Sequence, residues 1–94
     1  MKAKEYAELY KAESVKKDVA ETLKKILLMF LDEVEEIRKK RGSTSNSVFH
    51  AILNEQSAKW QAFAKHTGNA SIRKDGFKNF IRIQMPDIYR SWKG

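Results

Sequence analysis

The sequence has no cysteine, one proline and only four glycines. Without cysteine there is no disulfide framework, no thiolate zinc site and no thiol nucleophile. The longest uninterrupted apolar run, Ile26 to Leu31, is far shorter than the roughly 20 residues of a membrane-spanning helix. The N-terminal segment interleaves Lys and Glu and lacks the apolar core of a secretory signal. We therefore expect a soluble, cytoplasmic protein that does not enter a membrane.

Acidic residues are also in short supply, and the deficit is uneven. The chain has 19 Lys or Arg against 12 Asp or Glu, a net charge of +7. Residues 1–41 contribute +2 and residues 42–94 contribute +5. Such an excess favours polyanions, with nucleic acid first, followed by an anionic membrane surface or an acidic protein face. With 41% hydrophobic residues in 94, the chain should fold as one domain, 1–94.

The first segment reads as helix throughout. Between Lys2 and Arg41 there is neither Gly nor Pro, and good helix formers dominate. Apolar residues recur there at helical spacing: Ala12, Val15, Val19, Leu23, Ile26, Phe30, Val34 and Ile37. The pattern predicts one long helix over 1–41 that ends at Gly42. The alternative is two nearly collinear helices, with a kink near Ser14 or a new start at Asp18, where Glu21 completes a capping-box spacing.

The second segment, the basic subregion 47–94, reads as shorter helices. After a polar connector, 42–46, a helix capped by Asn46 or Ser47 is predicted to end at Gly68. Its apolar stripe is Phe49, Ile52, Leu53, Gln56, Trp60, Phe63, Ala64 and Thr67.

Two further helices are predicted after Gly68. The first begins at Ser71 or, preferably, at Asp75, because Gly76 is tolerated in a first turn and costly later. Pro86 ends it and starts the last helix. The fold class is all-α: a long N-terminal helix followed by a helix-turn-helix-like set of two to three shorter helices.

Apolar residues almost encircle the predicted long helix near its middle: Leu27, Leu28, Met29 and Leu31. A continuous helix over 1–41 would be about 60 Å long, and one neighbour cannot cover both of its sides. We therefore expect a homo-oligomer with these four residues at its interface. The alternative is that helices of the C-terminal half cover both faces.

Residue types that carry catalysis do not cluster. His50 and His66 are too far apart along one helix to share a metal ion. Glu33 and Glu36 have the E-x-x-E spacing that resembles the magnesium-holding pairs of all-α pyrophosphohydrolases. Those enzymes need a second acidic pair, which this chain lacks. We expect these acids to form a solvated face paired with Arg38, Lys39 and Lys40, and we expect no enzyme, no metal and no cofactor.

The segment from Phe63 to Gly68 resembles the first helix and turn of a helix-turn-helix unit, with the small residue Ala64 four positions before the turn glycine. The match requires Asn69, Ala70 and Ser71 to lengthen the turn. The resemblance implies that the second helix of the unit would project toward DNA or RNA. The candidate nucleic-acid-binding residues are Lys65, Arg73, Lys74, Lys78, Asn79 and Arg82.

Two functions follow from this reading. In the first, the chain is an oligomeric module that binds nucleic acid through its basic half. In the second, the N-terminal helix binds a protein partner, and the chain acts as an adaptor, inhibitor or structural accessory subunit. Small size and high charge are features that we also expect of phage accessory proteins. The aromatic residues, Trp60 and Trp92 among them, sit at core spacing, so we expect them to pack and not to stack on bases.

Overall fold

The computed structural model describes residues 1–42 and 45–93, and all of the regular structure within them is helical. The all-α prediction is therefore confirmed. The helices are α1 (Ala3–Ser14), α2 (Val19–Arg41), α3 (Asn46–Thr67), α4 (Gly76–Gln84) and α5 (Pro86–Lys93). Ser43 and Thr44 of the predicted polar connector lie outside the described residues.

The prediction of one helix over 1–41 is wrong, because the chain breaks between α1 and α2. Asp18 is the N-cap of α2, and its Oδ1 accepts a hydrogen bond from the amide of Glu21 at 2.8 Å. The hydroxyl of Thr22 donates to the Asp18 carbonyl at 3.0 Å. The bond from Glu21 satisfies one of the amides that have no intrahelical partner at a helix start, so a new helix can begin here in a different direction.

The two helices are not collinear either, because α1 folds back along α2. The ring of Tyr6 lies 4.6 Å from that of Phe30, centroid to centroid. Nearer the break, Lys25 Nζ lies 3.2 Å from a carboxylate oxygen of Glu13. The molecule is consequently only 40 Å in its longest dimension, well short of a 60 Å rod.

The first three helices form an up-down-up bundle. Helix α3 is antiparallel to α2, since Gln56 Nε2 donates to the Phe30 carbonyl at 3.0 Å, while Arg38, further along α2, lies 4.9 Å from the ring centre of Phe49, which comes earlier in α3. It is parallel to α1, and Tyr10 meets Phe63 edge to face at 6.1 Å. Phe30 is fully buried at the centre of the bundle.

The two short helices close the bundle. Phe77 on α4 is fully buried, and its ring lies 5.9 Å from Phe30 and 6.4 Å from Trp92. Trp92 on α5 donates its indole hydrogen to Asn54 of α3 at 2.6 Å. As predicted, Pro86 begins the last helix, and Asp75 precedes the first residue of α4.

The helix ends of the bundle follow the sequence signals with one shift. Gly42 and Gly68 both adopt the left-handed conformation, with φ of 65° and 67°, and end α2 and α3 as predicted. The cap of α3 is Ser45 instead of Asn46 or Ser47, and its hydroxyl accepts from the Val48 amide at 3.4 Å.

Which face each helix buries was predicted correctly for α3 and incorrectly for α1. All of the predicted α3 stripe is buried except Thr67, which is half-buried. In α1 the buried residues are Tyr6, Ala7 and Tyr10. Val15, predicted to continue the stripe, is 81% exposed, because it lies in the break.

The apolar belt of α2 is largely covered by the chain itself. Leu27, Met29 and Leu31 are partly buried and pack against the core. The prediction from sequence allowed the helix a single neighbour, whereas α1 and α3 supply two, so the chain itself covers part of these three side chains. The oligomer interface at these residues stays a prediction. Leu28 is the exception and remains 46% exposed.

Candidate nucleic-acid interface

The connector between α3 and α4, Gly68 to Asp75, is fixed to the bundle at three points. Ile72 is buried in the core. The indole Nε1 of Trp60 donates to the carbonyl of Arg73 at 3.0 Å. Asn69 Nδ2 donates to the hydroxyl of Tyr10 on α1 at 2.6 Å. The path of the connector is therefore set by contacts with both α1 and α3.

Asn69 also shapes the connector locally. Its Oδ1 accepts from the amide of Ser71 at 2.9 Å and from the Ser71 hydroxyl at 2.7 Å, which is the pattern of an Asx turn. The amide of Ile72 donates to the Asn69 carbonyl at 3.1 Å. The backbone thus turns before Ile72 enters the core, and the side chains of Arg73 and Lys74 are left exposed.

An open groove of about 930 Å³ lies between this connector and the C-terminal half of α3. Small side chains form part of its wall on α3, among them Ala58 and Ala62. Lys65, Arg73 and Lys74 line it, together with one acid, Asp75. The groove therefore has a net positive charge.

The three cations of the groove have no acidic partner within the part of the chain that the structure describes. Other basic residues do: Lys59 is bound to Glu33 at 2.6 Å, and Arg41 to Glu55 at 2.9 Å. An unpaired cation beside a concave surface keeps its full charge for an anionic ligand.

The other three predicted contact residues lie on α4 and do not line this groove. Lys78 Nζ lies 5.1 Å from the centre of the Trp92 ring, a cation–π contact that turns it toward α5. Asn79 is half-buried and Arg82 is exposed. The structure therefore brings Lys65, Arg73 and Lys74 together and places Lys78, Asn79 and Arg82 on a separate element.

The helix-turn-helix resemblance is only partly matched by this geometry. A turn of about three to four residues joins the helices of that motif. Here the connector runs from Gly68 to Asp75, and α4 has nine residues. The resemblance implied that Arg73 and Lys74 lie on the second helix of the unit. In the structure they belong to the connector, because α4 begins at Gly76.

The aromatic residues pack inside, as predicted. Trp60 is 2% exposed and Phe77 is fully buried, and Trp92 packs against the core. Gly76 approaches the Trp60 indole so closely that an added Cβ would lie 3.2 Å from Nε1. Trp60 therefore supports the connector from beneath and offers no face to a stacked base.

A second polar cluster was missed at the sequence level. Glu33, expected on the solvated face, is only 15% exposed and joins three helices. Its carboxylate accepts from Lys59 Nζ at 2.6 Å, from Gln56 Nε2 at 3.1 Å and from the amino group of Met1 at 2.7 Å. The sequence signal for this cluster was the pair Gln56 and Lys59, three positions apart on α3. Only the tertiary structure places these two side chains opposite Glu33.

Burial and hydrogen bonding act in opposite directions on this carboxylate. Burial raises the pKa of Glu33, and the hydrogen bonds from Lys59, the Met1 amino group, Tyr6 and Gln56 outweigh it, so the pKa falls to about 2. Burial, followed by the hydrogen bond to Glu33, raises the pKa of Tyr6 above its ordinary value. Glu33 is therefore ionised at neutral pH, and its carboxylate links Lys59 of α3 to the amino group of Met1.

Within residues 1–42 and 45–93, no group of three or more His, Asp or Glu converges on a place that could hold a metal ion. His50 Nε2 lies 3.2 Å from the hydroxyl of Ser91, a contact between α3 and α5.

Within residues 1–42 and 45–93, none of the helices combines the length and the apolar composition needed to cross a bilayer.

Comparison of the chain with protein-family models, with curated proteins and with solved structures finds no match. The candidate function therefore rests on the groove and on its charges.

Proposed function

We propose that this protein binds nucleic acid through the groove between α3 and the Gly68–Asp75 connector, using Lys65, Arg73 and Lys74 to contact phosphates. The observation that carries the proposal is the convergence of three unpaired cations on one groove beside small side chains. Phosphate contacts supply most of the affinity of sequence-independent nucleic-acid binding.

The geometry favours contact with the backbone over the reading of bases. Among the described residues, none that lines the groove has an aromatic ring, so base stacking has no platform there. The connector is fixed by Trp60 and Asn69, which lowers the entropy lost when Arg73 and Lys74 are ordered on a phosphate. Weak sequence preference and strong salt dependence are the expected properties.

The test is fluorescence anisotropy with a labelled DNA duplex and with its single strand, each titrated at several salt concentrations. Every phosphate contact contributes about 0.9 to the slope of log K against log salt on duplex DNA. Replacing all three cations of the groove by Gln should therefore lower the slope by about two to three. The variant is Lys65→Gln, Arg73→Gln and Lys74→Gln.

A matched control removes the same charge elsewhere. Its positions are three exposed lysines of α1 and the turn after it, none of which forms an ion pair in the described residues: Lys4, Lys11 and Lys16. Replacing them by Gln should change the slope much less. Equal losses in the two variants would show that only net charge matters, and absence of any salt-sensitive binding would refute the proposal.

The separate cations of α4 can be tested in the same assay. If the bound strand extends past the groove, Arg82→Gln weakens binding further, because Arg82 is exposed and adds one phosphate contact. If the groove alone is used, Arg82→Gln binds as the parent chain does.

Protein binding through α2 is the second candidate function, as an adaptor, an inhibitor or a structural subunit. Leu28 favours it, because a leucine that remains 46% exposed in the middle of a helix is available to a partner.

A further inference from the structure

The outward side of α2 carries a short row of residues with the spacing of a coiled-coil seam. Successive residues are about 100° apart, so Lys24, Leu28, Leu31 and Glu35 lie in one row that faces away from the buried Ile26 and Phe30, with Leu31 at the edge of the row nearer the core. Lys24, Leu28 and Glu35 are exposed and Leu31 is half-buried. Leu27 and Met29, which were also predicted at the interface, are not part of this row and pack against the core.

This row is complementary to itself when it is reversed. If two copies of α2 lie antiparallel with the two-fold axis between residues 29 and 30, Leu28 of each copy faces Leu31 of the other. In the same register Lys24 of each copy faces Glu35 of the other. Each apolar contact and each ion pair is then made twice, as the symmetry of a two-fold dimer requires.

A parallel arrangement has no such match. It would place Lys24 against Lys24 and Glu35 against Glu35, and like charges opposed at a seam are repulsive. The charges therefore select the antiparallel register over the parallel one.

The charged members of the row are available for this contact. Neither Lys24 nor Glu35 forms an ion pair within residues 1–42 and 45–93. Pairing with a second copy consequently breaks no salt bridge of the monomer. It also removes from water the leucine that the bundle leaves 46% exposed.

We propose that α2 is the dimerisation surface of this protein and that it pairs antiparallel with α2 of a second copy through Lys24, Leu28, Leu31 and Glu35. Helix α2 is about 34 Å long, and the apolar part of the row is two leucines. The contact belongs to the small, reversible class of interfaces, and dimerisation depends on protein concentration. The inference is independent of the nucleic-acid groove.

Sedimentation equilibrium across a wide range of protein concentration tests it first. The expected mass rises from that of a 10.9 kDa monomer toward twice that value. Leu28→Glu should remain monomeric, whereas Ile83→Glu, at the 68% exposed apolar residue of α4, should dimerise like the parent chain. A parent chain that is monomeric at every concentration overturns the proposal and leaves the face to a different protein. So does a dimer that survives Leu28→Glu.

Charge reversal tests the pairing itself. Lys24→Glu alone, or Glu35→Lys alone, converts two attractive pairs of the dimer into repulsive ones and should weaken dimerisation about tenfold. The double variant Lys24→Glu, Glu35→Lys restores the opposition of charges and should recover the affinity of the parent. Failure of the double variant to recover it overturns this register.

Cysteine cross-linking tests the direction, and the cysteine-free sequence makes the result clean. Mixing Lys24→Cys with Glu35→Cys should give a disulfide between the two variants under mild oxidation, because the two positions face each other. Lys24→Cys alone should not cross-link, because its two copies lie about 16 Å apart along the antiparallel pair, beyond disulfide reach. A disulfide between two copies of Lys24→Cys, with none between Lys24→Cys and Glu35→Cys, indicates a parallel pair and overturns the proposal.

Discussion

Replacing Glu33 by Gln isolates the contribution of the buried ion-pair cluster to stability. The carboxylate is shared between Lys59 on α3 and the amino group of Met1, and the amide of Gln56 also donates to it. Gln has nearly the same shape and keeps one acceptor oxygen. The substitution therefore removes the negative charge while leaving the packing of the bundle largely unchanged.

The magnitude follows from the pKa. A fall from 4.5 to about 2 corresponds to about 3.5 kcal/mol if every pKa unit is worth about 1.4 kcal/mol. The side chains of Lys59 and Met1 are 22% and 36% exposed, so water screens part of this interaction. We expect Glu33→Gln to lower the free energy of unfolding at neutral pH by about 1–2 kcal/mol, which is about 4–16 °C in Tm for a chain of this size.

The pH dependence gives the sharper readout. Because the pKa of Glu33 is lower in the folded chain than in the unfolded chain, its contribution is fully present above about pH 4.5. The contribution is lost as the pH falls through the interval from about 4.5 to about 2, since both states then bind the proton. The parent chain should therefore lose its advantage over Glu33→Gln across this interval.

Urea unfolding followed by circular dichroism at a series of pH values measures the effect. Glu36→Gln is the matched control, since Glu36 is an exposed carboxylate on the same helix and takes part in no ion pair among the described residues. It should change the free energy of unfolding by a few tenths of a kcal/mol at most. A stability difference between the parent chain and Glu33→Gln that stays constant from neutral to acidic pH would refute the reasoning.

Three other substitutions probe the fold, each by urea unfolding. Asp18→Ala removes the cap at the start of α2 and should cost about 1 kcal/mol, whereas no loss would mean that the cap bond is not formed in solution. Phe30→Ala leaves a cavity at the centre of the core and should lower the free energy of unfolding by about 3–5 kcal/mol. A loss below about 1 kcal/mol would contradict the burial of Phe30 in the core. Gly76→Ala puts a methyl group 3.2 Å from Nε1 of a buried, hydrogen-bonded Trp60, so it should destabilise the chain despite its better helix propensity. An increase in stability would contradict that contact.

Local signals were sufficient for most of the helices and failed at one point. The stripe of α3 and the end of α2 at Gly42 were readable, because helical period and terminal glycine are local properties. The reversal after Ser14 was not, although Asp18 carried a cap signal. An uninterrupted run of good helix formers outweighed that signal, and the burial of Tyr6, which rewards the reversal, depends on residues far along the chain.

The candidate groove could be predicted only in part for the same reason. Lys65, Arg73 and Lys74 were named from composition and from a motif-like segment. Their meeting on one groove depends on the path of the connector. That path is set by the bond from Asn69 to Tyr10, which are 59 residues apart in sequence. The separate position of Lys78 likewise depends on Trp92 of the last helix.

The two faces of α2 allow stability and association to be separated by neighbouring carboxylates. Glu33 and Glu35 are about 200° apart around the helix, so one meets Lys59 inside the bundle and the other lies on the outward row. We expect Glu33→Gln to lower the free energy of unfolding while leaving the dimer affinity unchanged. Glu35→Lys should weaken dimerisation while changing monomer stability by no more than about 0.5 kcal/mol.

Both variants are compared with the parent chain by sedimentation equilibrium and by urea unfolding of the dilute monomer. Because the two carboxylates are two positions apart on one helix, any general effect of charge on α2 would change both measurements in both variants. Crossed effects, one property changed by each substitution, can arise only if the helix has an inner polar contact and an outer self-complementary seam. Equal effects of the two variants on both properties would contradict this division of the helix.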